Sequence, residues 1–418
     1  MEDNAKIAIS LKNSYIWEFI FRIMILSILD TDLYKFSTSN AYFQLYPLAE
    51  GTFKFNDRAA EVYDDSFLAA LKEEFRNLER IRLTADEFNY VTTKIKYVSR
   101  NYWEWLQGFN FEADKINAWL DEDHHLQIEV TDYLYKVTLY EVPILAIVAE
   151  LRNRVHGAIV DSAKALKILD EKLEYANEHK LPFSEFGTRR RFSSALHDAI
   201  VYELKEKCPK YCAGTSNVYF AMKYDVTPVG TFPHEWVMFH SGVFGYKRAN
   251  YISLEDWIKV YDGALGTALI DTFTTKSFLR TLTMKQAKLL DGFRQDSGDE
   301  KEVGDAIIAR LEEFGIDPKS KLIIFSNALN FPKYKDVVDY FRGRVKVSAG
   351  IGTNITCDPG IEGYKAANIV MKLSRCRMSN KDPWEKVIKI SDDTGKQMGA
   401  DKEFEIARYE LHLDGENE

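Results

Sequence analysis

Leu322-Ile-Ile-Phe-Ser-Asn327 is four apolar residues closed at once by two polar ones. A short apolar run ended by a turn signal reads as a strand buried on both faces. Two further runs share the form. Ala264-Leu-Gly-Thr-Ala-Leu-Ile270 ends in Asp271-Thr272, and Val345-Lys-Val-Ser-Ala349 ends in Gly350-Ile-Gly352-Thr353. Helical patterns follow these runs, so from about residue 180 the chain reads as βα units around a mainly parallel sheet. The fold class expected is α/β. Barrels and open sheets of this class both place their chemistry on polar residues just after the strand ends.

Upstream, the texture differs. Ser66-Phe-Leu-Ala-Ala-Leu-Lys-Glu-Glu-Phe75 carries apolar residues at helical spacing, and Thr84-Ala-Asp-Glu87 before Phe88 matches a capping box. Residues 125–142 alternate apolar and polar, which predicts half-buried strands, and a long helix over about 144–178 follows Pro143. After about 364 mixed strands return, ending in the acidic Asp414-Gly-Glu-Asn-Glu418. There is no internal repeat and no low-complexity segment.

A chain of 418 residues exceeds what one core usually supports, so about two domains are expected. Its net charge of −9 argues against nucleic acid as the main partner, while leaving room for a local basic pocket that binds a small polyanion. Cys208, Cys212, Cys357 and Cys376 form no Cys-x-x-Cys pair and no zinc pattern; they read as free thiols of a reducing compartment. The apolar stretch Tyr15–Leu29 is shorter than the ~20 residues a bilayer requires and is broken by Glu18 and Arg22. The opening Met1-Glu-Asp-Asn lacks the basic start of a secretory signal. The expectation is a cytoplasmic protein without a membrane partner. Met24 is a second candidate start, which would make residues 1–23 an upstream extension; an intact mass that includes them excludes it.

Several common site motifs are missing. Gly350-Ile-Gly352 lacks the third glycine of a dinucleotide fingerprint, and Ile390 stands where a P-loop ending in Gly395-Lys396 needs glycine. Position 238 is methionine, so His234-Glu235 does not open a zincin motif, and no Gly-x-Ser-x-Gly elbow occurs.

What remains is a set of strand-end clusters. In Arg294-Gln-Asp-Ser-Gly-Asp299, Asp296 and Asp299 can accept from vicinal ribose hydroxyls or hold Mg²⁺ through water. Asp299 equally suits the N-cap of a following helix, with Glu302 at the capping-box position. Gly350, Gly352 and Thr353, with Ser326 and Asn327 from a neighbouring unit, suit a phosphate cradle, because glycines let backbone N–H groups approach closely and a helix start adds its dipole. Phe186-Gly-Thr-Arg-Arg-Arg191 masses three cations; one or two fit a solvated face, and at least one is expected to grip phosphate or carboxylate. His234 lies in the constrained loop Gly230-Thr-Phe-Pro-His-Glu-Trp236, with Glu235 as a candidate to orient its ring, and imidazole can serve as a nucleophile. His124, His125 and His240 lack such surroundings.

Thr31-Asp-Leu-Tyr-Lys35, Phe186-Gly-Thr-Arg-Arg-Arg191, Gly214-Thr-Ser-Asn217, Gly230–Trp236, Asp296-Ser-Gly-Asp299 and Gly350-Ile-Gly-Thr353, in this order, resemble the nicotinate phosphoribosyltransferase family from about residue 28 to about 375. The resemblance implies an irregular α/β barrel over 146–364, beside an N-terminal α/β domain over 24–145 that is completed by about 365–418. It implies transfer of phosphoribosyl from 5-phosphoribosyl 1-diphosphate to nicotinate, with Mg²⁺ present. ATP is a co-substrate that transiently phosphorylates His234. It also implies a homodimer with interface active sites, into which Tyr34 reaches from the partner chain. On this reading Tyr34 stacks on the pyridine, Arg294 and Thr231 hold its carboxylate, and Asp296 and Asp299 face the ribose or the ion. Phe186, Arg189 and Ser216 complete the substrate contacts. Related nicotinamide-using enzymes carry aspartate where Ser216 stands; a buried carboxylate would repel nicotinate by several kcal/mol, so Ser216 favours it.

Overall fold

The computed structural model describes residues 24–399 and 401–413; the proposed extension 1–23 lies outside them. Its strands in chain order are β1 (Glu50–Asp57), β2 (Ile116–Leu120), β3 (Leu126–Tyr133), β4 (Phe183–Glu185), β5 (Cys212–Thr215) and β6 (Thr267–Leu269). These are followed by β7 (Gly292–Gln295), β8 (Leu322–Phe325), β9 (Lys346–Ile351), β10 (Ile369–Arg377) and β11 (Glu385–Lys386).

They form two sheets. The parallel one runs β5-β4-β9-β8-β7-β6, and its strands β6, β8 and β9 are the short apolar runs read from the sequence. Its edge strands β5 and β6 do not pair with each other, so the α/β barrel is open there and irregular. Because β4 pairs with β9, the first and last strands of the unit bring Phe183 opposite Ala349 and Glu185 opposite Ile351. The antiparallel sheet runs β11-β10-β1-β3-β2. Here β10, from the far end of the chain, pairs with β1 over Glu50↔Arg377 to Asp57↔Ile369. One apolar core runs through both layers, from Phe53 and Val130 to Phe293 and Ile323, all fully buried.

Local signals explain much of the upstream half. Thr84 accepts from the Glu87 amide at 3.3 Å while Glu87 accepts from the Thr84 amide at 2.8 Å, the reciprocal box the spacing predicts. Three expectations are corrected. The strand predicted over 125–142 stops at Tyr133; Leu134, Val137 and Tyr140 are buried at three-residue spacing, and the chain coils through them. Alternation in a tyrosine-rich run does not separate these two periods. The helix predicted over 144–178 is two helices, Glu141–Val155 and Ser162–Glu178, parted at Gly157 (φ +64°), while Pro143 sits harmlessly in the first turn. The tail also carries a helix, Asp401–Glu410, besides its strands. The four cysteines are free, and among the described residues no helix is long and apolar enough to cross a membrane.

Candidate active site

The C-terminal ends of β4, β7, β8 and β9 open into a cavity of about 650 Å³. Phe186 follows β4, and its amide donates to Ile351 at 2.9 Å. Its ring occupies space left by Gly350, where a Cβ would stand 2.3 Å from the ring. The Arg294 guanidinium lies 5.4 Å from the centroid of that ring. Arg294, on β7, donates to Ser326 Oγ at 3.0 Å and to Thr231 Oγ1 at 3.2 Å, and lies 3.6 Å from Asp296. Ser326 passes its own proton towards Asp296 at 3.1 Å. Three loops are thereby tied through one arginine.

His234 opens the helix His234–Phe244 and points into the same cavity. Its Nδ1 meets Thr272 Oγ1 at 2.9 Å; its Nε2 meets Lys389 Nζ at 2.9 Å and Asp296 Oδ2 at 3.3 Å. Burial, reinforced by the Lys389 and Lys372 charges, holds the imidazole well below its usual pKa against the pull of Asp296, so the ring is neutral at pH 7. Burial would raise Asp296, but its contact with His234 and the Arg294 and Lys389 charges bring it well below the carboxylate range. Asp271, buried beside Asp296, is pushed up to about 6.

Glu235 does not orient the histidine. Successive helical residues diverge by about 100°, and Glu235 turns into a buried network with Lys35 and Thr138, where Lys35 also meets Glu141 at 2.5 Å. Thr272 performs the orienting role instead.

The remaining expected residues divide cleanly. Asn327, Gly350, Gly352, Thr353 and Arg189 line the cavity with Phe186, His234, Arg294, Asp296 and Ser326. Thr231 and Tyr34 stand one contact behind it, and Ser216 two. Tyr34 is 8% exposed, with the Arg189 guanidinium of its own chain 6.0 Å from its ring. Ser216 donates to Asp32 at 2.7 Å, and Asp32 lies 3.7 Å from Arg189. Asp299 does not line this cavity. Gly298 (φ +80°) turns the chain so that Asp299 caps the helix Glu300–Glu313 at 2.9 and 3.1 Å and faces another cleft, with Thr275 and Lys276. The helix after Gly352 is one turn, Thr353–Thr356, too short to add the dipole expected of it. None of the three arginines forms a solvated face: Arg189 and Arg190 line the cavity, and Arg191 is wholly buried against Asp30 at 2.6 and 2.9 Å.

Sequence reasoning missed the cations from elsewhere in the chain. Arg58 stands just beyond β1, Lys372 on β10, and Lys389 and Lys396 on the loops after β11, all facing the cavity. With the arginines they outnumber Asp296 and Asp358, and burial pushes Lys372 down to about 8. This is a basic pocket on an acidic protein. Asp271-Thr272 was visible as a strand end; the lysines carry no local signal, since the pairing of β10 with β1 brings Lys372 here and the bonds from Ile390 and Ser391 to the Thr272 carbonyl bring Lys389.

A sequence model described as the nicotinate phosphoribosyltransferase (NAPRTase) family matches residues 181–414, and that of its N-terminal domain matches 29–149. The chain is 35% identical over 391 residues to a nicotinate phosphoribosyltransferase of Chromohalobacter salexigens, covering 93% of this chain and 99% of that one. It is 37% identical over 386 residues to one of Ectopseudomonas mendocina, covering 90% and 94%. Among solved structures, nicotinate phosphoribosyltransferase from Porphyromonas gingivalis superposes with a TM-score of 0.91 at 42% identity, covering 93% of this chain and all of that one. That from Vibrio cholerae gives 0.87 at 31% identity, covering 94% and 95%.

Proposed function

The chain belongs to the nicotinate phosphoribosyltransferase family, and from that premise we propose that it joins nicotinate to 5-phosphoribosyl 1-diphosphate in NAD salvage. The pyridine nitrogen bonds to the ribose C1 as the C1–O bond breaks, and diphosphate leaves with that electron pair, giving nicotinate mononucleotide. The observation that supports this reading most is the Phe186–Arg294 pair. It offers an aromatic face and, beside it, a guanidinium already anchored by Thr231 and Ser326, which suits a flat ring bearing a carboxylate. The lysines and arginines opposite suit phosphates.

Ser216 supports nicotinate over nicotinamide in a modified way. Its hydroxyl is engaged by Asp32, so an aspartate at 216 would set two buried carboxylates side by side.

The finer parts of the reading are ATP coupling, Mg²⁺ and a dimer. With no P-loop, ATP uses the same basic cavity, and His234 Nε2 takes its γ-phosphoryl group as the bond to ADP breaks. For Mg²⁺ the residues fit: Asp271 Oδ1 is buried without a hydrogen-bond partner, and the ligand atoms of Asp271, Asp296 and His234 lie within 4.8 Å of one another. The two carboxylates are the hard oxygen donors that ion prefers. Bound there, Mg²⁺ would neutralise phosphate charge. The reading includes a cytoplasmic homodimer with interface active sites, in which Tyr34 serves the partner's pyridine; its absence from the lining of its own cavity is compatible with that.

Offering nicotinate, nicotinamide and quinolinate at equal limiting concentration, with 5-phosphoribosyl 1-diphosphate, Mg²⁺ and ATP, tests the substrate. Nicotinate is expected to react fastest, releasing one diphosphate per mononucleotide; faster turnover of either other pyridine overturns the assignment. Gly350→Ala should push the Phe186 ring aside, at about 1–3 kcal/mol. The expected result is a nicotinate KM raised about tenfold or more, with the KM for the sugar diphosphate little changed.

A further inference from the structure

A neutral imidazole has one N–H, and the partners of His234 make conflicting claims on it. Asp296 Oδ2, 3.3 Å from Nε2, can only accept and would draw the proton to Nε2. Lys389 Nζ, 2.9 Å from the same nitrogen, is an ammonium that can only donate and requires Nε2 to carry a lone pair. Thr272, the partner of Nδ1, can donate or accept and so follows whichever tautomer the other nitrogen imposes. Lys389 is nearer, and its ammonium also lies 4.0 Å from Asp296 Oδ2, which weakens that oxygen's claim on the Nε2 proton; Ser326 and Arg294 hold the other oxygen, Oδ1. The lysine is also held by the residue that serves the opposite side of the ring. The Thr272 carbonyl accepts from the amides of Ile390 and Ser391, next to Lys389, which pairs across a bridge with Met398.

We propose that Lys389 is a positioning residue that selects the Nδ1–H tautomer of His234 and so keeps the Nε2 lone pair available in the cavity. The inference rests on the phosphoryl-acceptor reading of His234 for its purpose, but not for its geometry. Lys389 caps the nitrogen that must attack. It is a movable cap: an ammonium on a flexible four-carbon stem transfers readily to an arriving phosphate. Nε2 is then left unprotonated and free at the moment phosphate arrives. Without the lysine, Asp296 takes the Nε2 proton, Thr272 donates to Nδ1, and the lone pair faces away from the cavity.

The test is ¹⁵N-histidine NMR on the full-length protein, with the His234 signals assigned by their loss in His234→Gln. Wild type and Lys389→Arg should show a protonated Nδ1 and an unprotonated Nε2, and Lys389→Met the reverse. Nε2–H in the wild type, or an unchanged tautomer in Lys389→Met, overturns the proposal. A merely structural lysine would not move this readout. Acid-labile phosphoenzyme formed from ATP gives the second arm. The wrong tautomer of a working histidine costs as much as about 10⁴ in rate elsewhere, and Lys389→Met is expected to lose at least about 100-fold while Lys389→Arg retains most. Equal phosphorylation of the two variants counts against the role. A wild type that forms no phosphoenzyme would sink the acceptor reading while leaving the tautomer result standing.

Discussion

His234→Ala is expected to abolish acid-labile phosphoenzyme and ATP stimulation, while a slow ATP-independent transfer of ribosyl persists. The side chain is almost buried, and its contacts are the ones a phosphoryl acceptor in this cavity requires: Thr272 behind, Asp296 and Lys389 at the attacking nitrogen. Pyridine recognition, through Phe186 and Arg294, does not pass through it. The variant should fold, because Lys389 and Asp296 are already 4.0 Å apart and can pair across the space left behind. The ATP-stimulated rate is expected to fall at least about 100-fold, or about 2.7 kcal/mol of barrier, with KM for nicotinate within a few-fold of wild type. Steady-state rates with and without ATP, and phosphate retained on acid-quenched protein, measure this. A variant that ATP still stimulates fully would refute the acceptor role.

Arg191→Met should produce the largest loss of stability. Arg191 is fully buried, and its guanidinium holds both oxygens of Asp30 and the carbonyl of Met24. Removing it strands a buried carboxylate with only Asn217 and the Leu26 amide, and such stranding costs about 3–5 kcal/mol. The pH dependence has a definite sign. Burial raises the Asp30 pKa, but Arg191 and the hydrogen bonds bring it below its ordinary value. The wild-type contribution is therefore fully present above about pH 4 and is lost as pH falls through the lowered folded value. In the variant the cation is gone, burial prevails, and Asp30 takes up a proton more readily. Its deficit should be greatest near pH 8 and shrink towards pH 5. Urea midpoints at both values check this; a deficit that grows on acidification would contradict the pairing.

Half of the parallel sheet was legible because β6, β8 and β9 are short apolar runs with polar ends, a signal that needs no knowledge of distant contacts, whereas β4 (Phe183–Glu185) and β5 (Cys212–Thr215) carry no such run. Leu322–Phe325 with Ser326 is the clearest case, and the position of Gly350 followed from the same pattern. Local pattern failed where a single backbone angle redirects neighbours. Asp296 and Asp299 looked like a pair until Gly298 turned them to different clefts. Glu235 looked like the partner of His234 until the helix carried it to Lys35. Lys372 and Lys389 could not have been found at all, because Lys372 is placed by strand pairing across more than two hundred residues and Lys389 by bonds from its neighbours to the distant Thr272 carbonyl.

That pairing also bears on how the protein is made. β1 is among the first strands to leave the ribosome, with β3 available soon after on one side, but its other neighbour is β10, whose pairing reaches from Glu50 to Arg377. At about 5–20 residues per second, a nascent chain would carry the unpaired edge of β1 for some 15–65 s. An open edge flanked by Phe53 and Phe55 is a template for strands of other chains throughout that interval. Yield during expression should therefore depend on translation speed and chaperone supply more than the stability of the finished protein would suggest.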